Sequence, residues 1–424
     1  MPTNYASPGV YVEEVPAAIR AIAGVSTSTA AFVGVVPNTL HLAAPNPDFD
    51  SAVTTSKPFK VVDVAVTAPA KVPVLITNWS QFVKNFADLT GAASKAASAG
   101  TPAIDAPFLR LAHAVYGFFN NGGSRCYVAR ITAETDLDAV LSAFAAIDEI
   151  ALVCAPGMVS DSVRDKIVLH CTNSGDRFAI LDGPEVTADI TTLTRIAADP
   201  TPGVMPKKTD FAAWYYPWVK VFDPGTKLQT PTGDGAFAVP PSGHLAGIYA
   251  RVDTERGVFK APANEVIRGA LDVTHALSRA DQESLNPKGV NCIRVLNDNI
   301  YAWGARTVGG DGNADLKYIS VRRTLLFLRE SIDEGTQWAV FEPNTPALWA
   351  KIRRNITAFL TTVWRSGALF GSTPQEAFFV KCDEETNQPE DREQGRVITE
   401  IGVAIVRPAE FVIFRVSQSA PAEQ

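Results

Sequence analysis

Residues 395–416 read GRVITEIGVAIVRPAEFVIFRV, and residues 8–16 read PGVYVEEVP. The first stretch is two apolar, β-branched runs divided by Arg407-Pro408, and both read as strands. The second is a short extended strand held between prolines. Chain ends usually fray, so valines, a tyrosine and phenylalanines placed there need something to cover them. A strand on a terminal arm can add itself to the sheet edge of another molecule. If every copy donates one arm and accepts one, the product is a polymer. The residues expected to carry this exchange are Val10, Tyr11, Val12 and Val15 at one end, and Ile401, Val403, Ile405, Phe411 and Ile413 at the other. Between the first arm and the body, AAIRAIAGVSTS (17–28) is rich in small residues, and Gly24 is the expected hinge. The chain reads as a self-assembling structural subunit rather than an enzyme.

Composition sets the bounds. The 424 residues correspond to roughly three domains by length. With 46% hydrophobic and 20% charged residues, the chain has ample material for more than one core. A net charge of -7 and a pI near 5.4 argue against nucleic acid as a partner, because phosphate binding needs a basic surface. The start, MPTNYASPGVY, lacks a positive region followed by an apolar run, so no signal peptide is expected. No stretch of about 18 apolar residues is present, so no direct membrane insertion is expected. Five scattered cysteines, Cys126, Cys154, Cys171, Cys292 and Cys382, fit reduced, buried thiols in a product assembled in the bacterial cytoplasm, with release by lysis leaving no mark.

Periodicity predicts an alternating α/β middle. Strands are expected at 30–36, 74–76, 125–131, 150–155, 178–181 and 213–222, with helices at 105–120, 137–147, 160–173, 190–198 and 240–254. Residues 37–73, rich in Pro, Thr, Ala and Asn, read as a surface excursion with one strand at 59–66. Asn78 or Ser80 caps a helix running to Phe86. In the last third, strands are expected at 292–296, 300–307, 338–341 and 377–381. A helix at 315–334 has its seam at Val321, Leu325, Leu328 and Ile332, and a long helix spans 346–366. An acidic loop, DEETNQPEDREQ, precedes the terminal strands.

Chemistry is sparse. GxxxxGK[ST], GxGxxG, GxSxG, HExxH and CxxC are all absent, and the five histidines are scattered. Residues 309–315, GGDGNAD, imitate the start of a calcium loop but lack the closing glutamate; a turn with a capping aspartate is the simpler reading. Adjacent acids at Asp383, Glu384 and Glu385 are usually solvated. No catalytic residue, metal or cofactor is expected. The competing reading is a soluble α/β nucleotide-binding enzyme, in which Gly157 approaches a phosphate received by the helix starting at Ser160.

In the long helix, Leu348, Ile352, Ile356, Phe359 and Val363 fall on one face at 100° per residue. Lys351, Arg354 and Arg365 lie roughly opposite. In an acidic chain such a stripe suits docking to an acidic partner, although charged helix faces are most often simply solvated.

Several segments, in order and spacing, resemble the contractile tail sheath family of bacteriophages, R-type pyocins and extracellular contractile injection systems. They are SPGVYVEEV near the start, TAAFVGVV (29–36), NIYAWGARTV (299–308), KYISVRRTLLFLRESI (317–332), WAVFEPNTPALWAKIRRNI (338–356) and ITEIGVAIVRPAEFVIFRV at the end. The last third matches almost throughout; residues 37–285 match mainly in α/β character. The resemblance implies an α/β (α+β) fold: a C-terminal core domain with a mixed sheet and two long helices, an α/β outer domain, and extended terminal β arms. It implies residues 1–24 as arm and hinge, 25–285 as the outer domain with one strand given to the core, 286–394 as a core facing an inner tube, and 395–424 as the second arm. It further implies stacked rings of this chain around a tube protein, meeting baseplate and tail terminator or cap proteins. Lys351, Arg354 and Arg365 are then the tube-facing candidates. A single chain carrying both halves argues against the two-chain type VI secretion sheaths.

Overall fold

A computed structural model describes residues 21–92, 103–196 and 203–414. They fall into two compact units. The larger comprises 25–330 with 405–414, the smaller 331–404 with 21–24.

The strands of the larger unit are β1 (Ala30–Val35), β2 (Thr39–Pro45), β3 (Phe59–Ala65), β4 (Val74–Ile76), β5 (Cys126–Ile131), β6 (Leu152–Cys154), β7 (Phe178–Asp182), β8 (Ala212–Tyr216), β9 (Val219–Phe222), β10 (Ala236–Val239), β11 (Glu265–Val266), β12 (Ala270–Val273), β13 (Val290–Leu296) and β14 (Asn299–Ala302). Its helices are α1 (Trp79–Asn85), α2 (Ala106–Asn120), α3 (Leu137–Ala145), α4 (Asp161–Ser174), α5 (Pro224–Gln229), α6 (Ser242–Glu255) and α7 (Arg279–Leu285). The division between the units falls inside α8 (Ile319–Thr336), after Glu330. The smaller unit adds α9 (Pro346–Arg365), α10 (Pro374–Ala377), β15 (Phe378–Lys381), α11 (Pro389–Glu393) and β16 (Glu400–Val403).

Nine strands form one mixed sheet in the order β11-β14-β13-β8-β7-β6-β1-β5-β4. The six from β13 to β5 run parallel, with antiparallel pairs at each edge. Helices cover both faces, which is why β1 reads as a continuous apolar run. Phe32 joins Phe108, Leu111, Val115, Leu245 and Ile248 from α2 and α6 on one face. Ala31 and Val33 join Leu137, Phe144, Val163 and Ile167 from α3 and α4 on the other.

Local signals place many of these elements. Asn78 caps α1, its side chain accepting from the Gln81 amide. Ser160 caps α4 in the same way, and Gly175 closes it at φ 72°. Helices α2 and α6 approach closely because their contact is lined by glycine. A methyl at Gly243 would lie 2.3 Å from the Ala114 carbonyl oxygen, and one at Gly247 would lie 2.4 Å from that of Phe118.

The structure corrects five expectations. The aromatic run 213–222 divides at Pro217, which cannot donate to a ladder; β8 stays in the large sheet while β9 joins β10 and β12. Residues 37–73 hold two strands rather than one, because β2 pairs with β3 over seven residues with Leu40 and Leu42 buried. The helix expected at 190–198 is a 3-10 turn, Ile190–Thr194. The strand expected at 338–341 is a 3-10 turn, Gln337–Ala339, followed by a fully exposed Phe341 at φ 66°. Of the two terminal strands only β16 forms among the described residues. Backbone pairing of β13 to β8 ties residues 290–302 to the large sheet.

Replacing Gly243 with Ala is expected to cost about 1–3 kcal/mol, because the clash is with backbone that cannot move aside. Gly312→Ala, whose methyl would meet only the Lys208 side chain at 3.7 Å, should leave thermal melting unchanged. Equal melting temperatures for the two variants would refute the close-packing account.

Candidate assembly interface

The smaller unit carries a sheet of only two strands. β15 and β16 pair antiparallel, Phe378 opposite Val403 and Val380 opposite Ile401. The pairing continues through Ala404, whose amide donates to the Ala377 carbonyl and whose carbonyl accepts from the Phe370 amide. Helix α9 packs against β15, and the Phe379 ring lies over Gly402. Among the described residues no third strand pairs with either partner. Among the described residues each strand therefore has one edge with no neighbouring strand, the template that strand addition uses.

Ile401, Val403 and Ile405, expected in the second arm, are half-buried here. Beyond them the chain is anchored rather than loose. The Glu410 carboxylate accepts from Arg306 Nε and Nη2 at 2.8 and 2.9 Å, from Asn286 Nδ2 at 2.8 Å and from the Tyr318 hydroxyl at 2.9 Å. Burial raises the pKa of this carboxyl, but the bonds from Arg306 and Asn286 and the Arg306 charge outweigh it, leaving a net shift downward. Past this clamp the apolar residues emerge. Phe411, Val412, Ile413 and Phe414 are 70%, 70%, 78% and 85% exposed. Burying four such side chains would contribute roughly 1.5–3 kcal/mol each, so a run of this kind marks a contact surface.

The other end has a matching anchor. Arg323 of α8 forms a bidentate pair with Asp253 at 2.9 and 2.6 Å and donates to the Thr27 carbonyl at 2.9 Å, while the Thr27 hydroxyl donates to Asp253 at 2.6 Å. This explains why α8 buries Arg323 and Thr324 while Leu325 and Ile332, expected in its seam, are half-buried. The division between the units follows Gly24 directly. Val10, Tyr11, Val12 and Val15 lie outside the described residues. Sequence reasoning missed both anchors, since isolated Glu, Arg and Asp residues carry no local signature.

The α9 pattern is present as read: Leu348, Ile352, Ile356, Phe359 and Val363 are buried, and Lys351, Arg354 and Arg365 are exposed. No carboxylate lies within ion-pair distance of those three cations among the described residues.

The nucleotide-enzyme alternative finds its phosphate position filled. The Gly157 amide donates to the protein's own Asp182 carboxylate at 3.2 Å, and the Ser242 amide and hydroxyl donate to the same group at 2.8 Å each. Burial pushes Asp182 up to about 7 against those bonds. The indoles of Trp214 and Trp218 donate to the carbonyls of Asp182 and Gly183, closing the strand ends. The GGDGNAD carboxylates are likewise engaged, Asp311 by Arg306 and Lys317 and Asp315 by Arg407.

The phage tail sheath protein central domain matches residues 131–308, and the phage tail sheath C-terminal domain matches 311–419, together about two thirds of the chain. The chain belongs to the phage tail sheath family. It is 26% identical over 200 residues to a prophage major tail sheath protein of Pseudomonas aeruginosa (strain UCBPP-PA14), a match covering 46% of this chain and 50% of that one. Over 207 residues it is 26% identical to the tail sheath protein of Burkholderia phage BcepMu, covering 47% and 41%. The chain thus spans about half the length of these two relatives. Among solved structures, the anti-feeding prophage helical sheath in its contracted state is 27% identical, with TM-score 0.69 over 98% of this chain and 100% of that one. The PVC sheath complex of an extracellular contractile injection system, also contracted, is 26% identical, with TM-score 0.69 over 98% and 99%. For this sheath-family chain, the unpaired edge and the exposed terminal run are the features that call for a partner.

Glu410→Gln should cost about 2 kcal/mol, because buried Arg306 loses its bidentate carboxylate and keeps only the partly exposed Asp311. The Glu410 contribution is present above the ordinary glutamate value of 4.5 and is lost as pH falls through its lower folded value. Proteolysis next to residues 411–414 should therefore accelerate on acidification in the parent and be fast at all pH values in the variant. Equal cleavage rates at pH 7 would remove the clamp from the account.

Proposed function

We propose that the chain is the structural subunit of a contractile sheath. It polymerises around an inner tube and shortens to drive that tube through a target envelope. The observation that carries this reading is the two-stranded β15–β16 sheet, with no further strand beside it among the described residues, together with the exposed terminal run Phe411–Phe414. The terminal arms of one subunit complete that sheet in its neighbours, through Val10, Tyr11, Val12 and Val15 at one end and Phe411 and Ile413 at the other. Gly24 serves as the hinge. Likeness over nearly the whole chain to sheaths solved in contracted particles supports the same reading.

Shortening without nucleotide hydrolysis requires stored energy. An extended lattice trapped as it forms on the tube is metastable, and contraction buries more surface between subunits. A gain of about 100 Å² of apolar area per subunit is worth roughly 2.5 kcal/mol, multiplied over every copy. An arm of 20 extended residues reaches at most about 65–70 Å, enough to bridge neighbours while bodies move. Lys351, Arg354 and Arg365 face the tube. The remaining partners are baseplate and terminator or cap proteins, with assembly in the bacterial cytoplasm. The role is structural rather than catalytic.

Deleting residues 1–20 should leave a folded monomer that no longer forms ordered tubes in negative-stain images; normal tubes would refute arm exchange. Reversing Lys351, Arg354 and Arg365 to Glu should weaken assembly on the tube yet spare spontaneous contracted polymers. Unchanged tube binding would return that stripe to ordinary solvation.

A further inference from the structure

The larger unit bears a groove of about 1210 Å³, above the roughly 300–1,000 Å³ typical of small-molecule pockets. One wall is the anchored C-terminal segment, Pro408 to Val412; Phe259 and Trp303 supply apolar lining. Seven Arg or Lys against four Asp or Glu side chains line it, formally +3 in a chain whose total is -7. Arg256 and Arg294 have no carboxylate within ion-pair distance among the described residues, and Arg294 Nε is buried without a hydrogen-bond partner. Arg279 is 88% exposed and pairs with Glu283 alone among the described residues.

The smaller unit bears the complementary object. Residues 383–393, DEETNQPEDRE, carry six carboxylates and one arginine, formally -5. The segment is held in shape from within. Asn387 Nδ2 donates to the carbonyls of Asp383 and Ile398 at 3.0 Å each, and Asn387 Oδ1 accepts from the Ile398 amide at 2.7 Å. Glu384, Glu390 and Glu393 stand exposed on it, with no cation within ion-pair distance among the described residues. A preformed acidic surface loses little freedom on docking, so its charge is available for affinity.

We propose that the groove between the α7 region and the anchored C-terminal segment seats the acidic segment 383–393 of a second copy. This rests on the self-assembly reading and adds to it a contact made by side-chain charge rather than backbone pairing. Because one wall is Pro408–Val412, the groove is complete only while Glu410 is clamped. Seating of the C-terminal segment and capture of the neighbour are thereby linked. Exposed charges of this kind are screened over about 8–10 Å at physiological ionic strength, so the contact weakens with salt.

The test uses the full-length chain and reads the fraction of protein in pelleted polymers, with tubes confirmed by electron microscopy. Arg256→Glu with Arg279→Glu should lower that fraction at least tenfold. Glu384→Lys with Glu390→Lys should do the same, and both should melt at the temperature of the parent. The chain carrying all four changes restores the opposite charges in reverse sense and should recover most of the yield. The inference is overturned if either reversal leaves polymer yield unchanged, or if the fourfold chain assembles no better than the two pairs. A tube-directed rather than copy-directed groove would show as loss in the first pair without rescue in the fourfold chain, which also overturns it. Failure of the parent chain to polymerise would instead defeat the sheath reading itself.

Discussion

Backbone N–H and C=O groups must be paired, and a sheet of two strands cannot pair its own outer rows. The larger unit eases the constraint by size: nine strands share one sheet with helices on both faces, although its β2–β3 sheet is two-stranded as well. In the smaller unit it is left open. β15 and β16 have α9 behind them and no further strand among the described residues. A lone two-stranded sheet is marginal in water, and α9 packs behind this one. That arrangement suits a protein whose finished form is many copies rather than one.

The second constraint is mechanical. If arms join subunits, any pull on them must enter the body somewhere. Two buried ionic sites sit where the terminal segments meet the larger unit, Arg323–Asp253 gripping Thr27 and Arg306 gripping Glu410. Both involve residues at or beside the start of α8, Tyr318 in one and Arg323 in the other. Bidentate, charge-assisted bonds of this type fix geometry as well as adding energy. They fix Thr27 and Glu410 to the body of the larger unit.

Much of this was readable from sequence wherever one local signal dominates. The α9 pattern set its buried face and left Lys351, Arg354 and Arg365 outside; Asn78 and Ser160 mark helix starts by their own side chains. Failures came where tertiary context decides. The hydrophobic run 213–222 looks like one strand, yet Pro217 sends its halves to different sheets. Trp338 to Phe341 has strand composition but pairs with no strand among the described residues. The second terminal run is strand-like in sequence but forms no strand as far as Phe414. Glu410 was invisible because Arg306 lies 104 positions away, and only the fold brings them together.

All five thiols are sealed in the interior and none is joined to another. A particle built from such chains has no covalent rivets. With every cysteine buried, no thiol is placed to respond to a change of redox surroundings. Reductants should not loosen it and mild oxidants should not lock it.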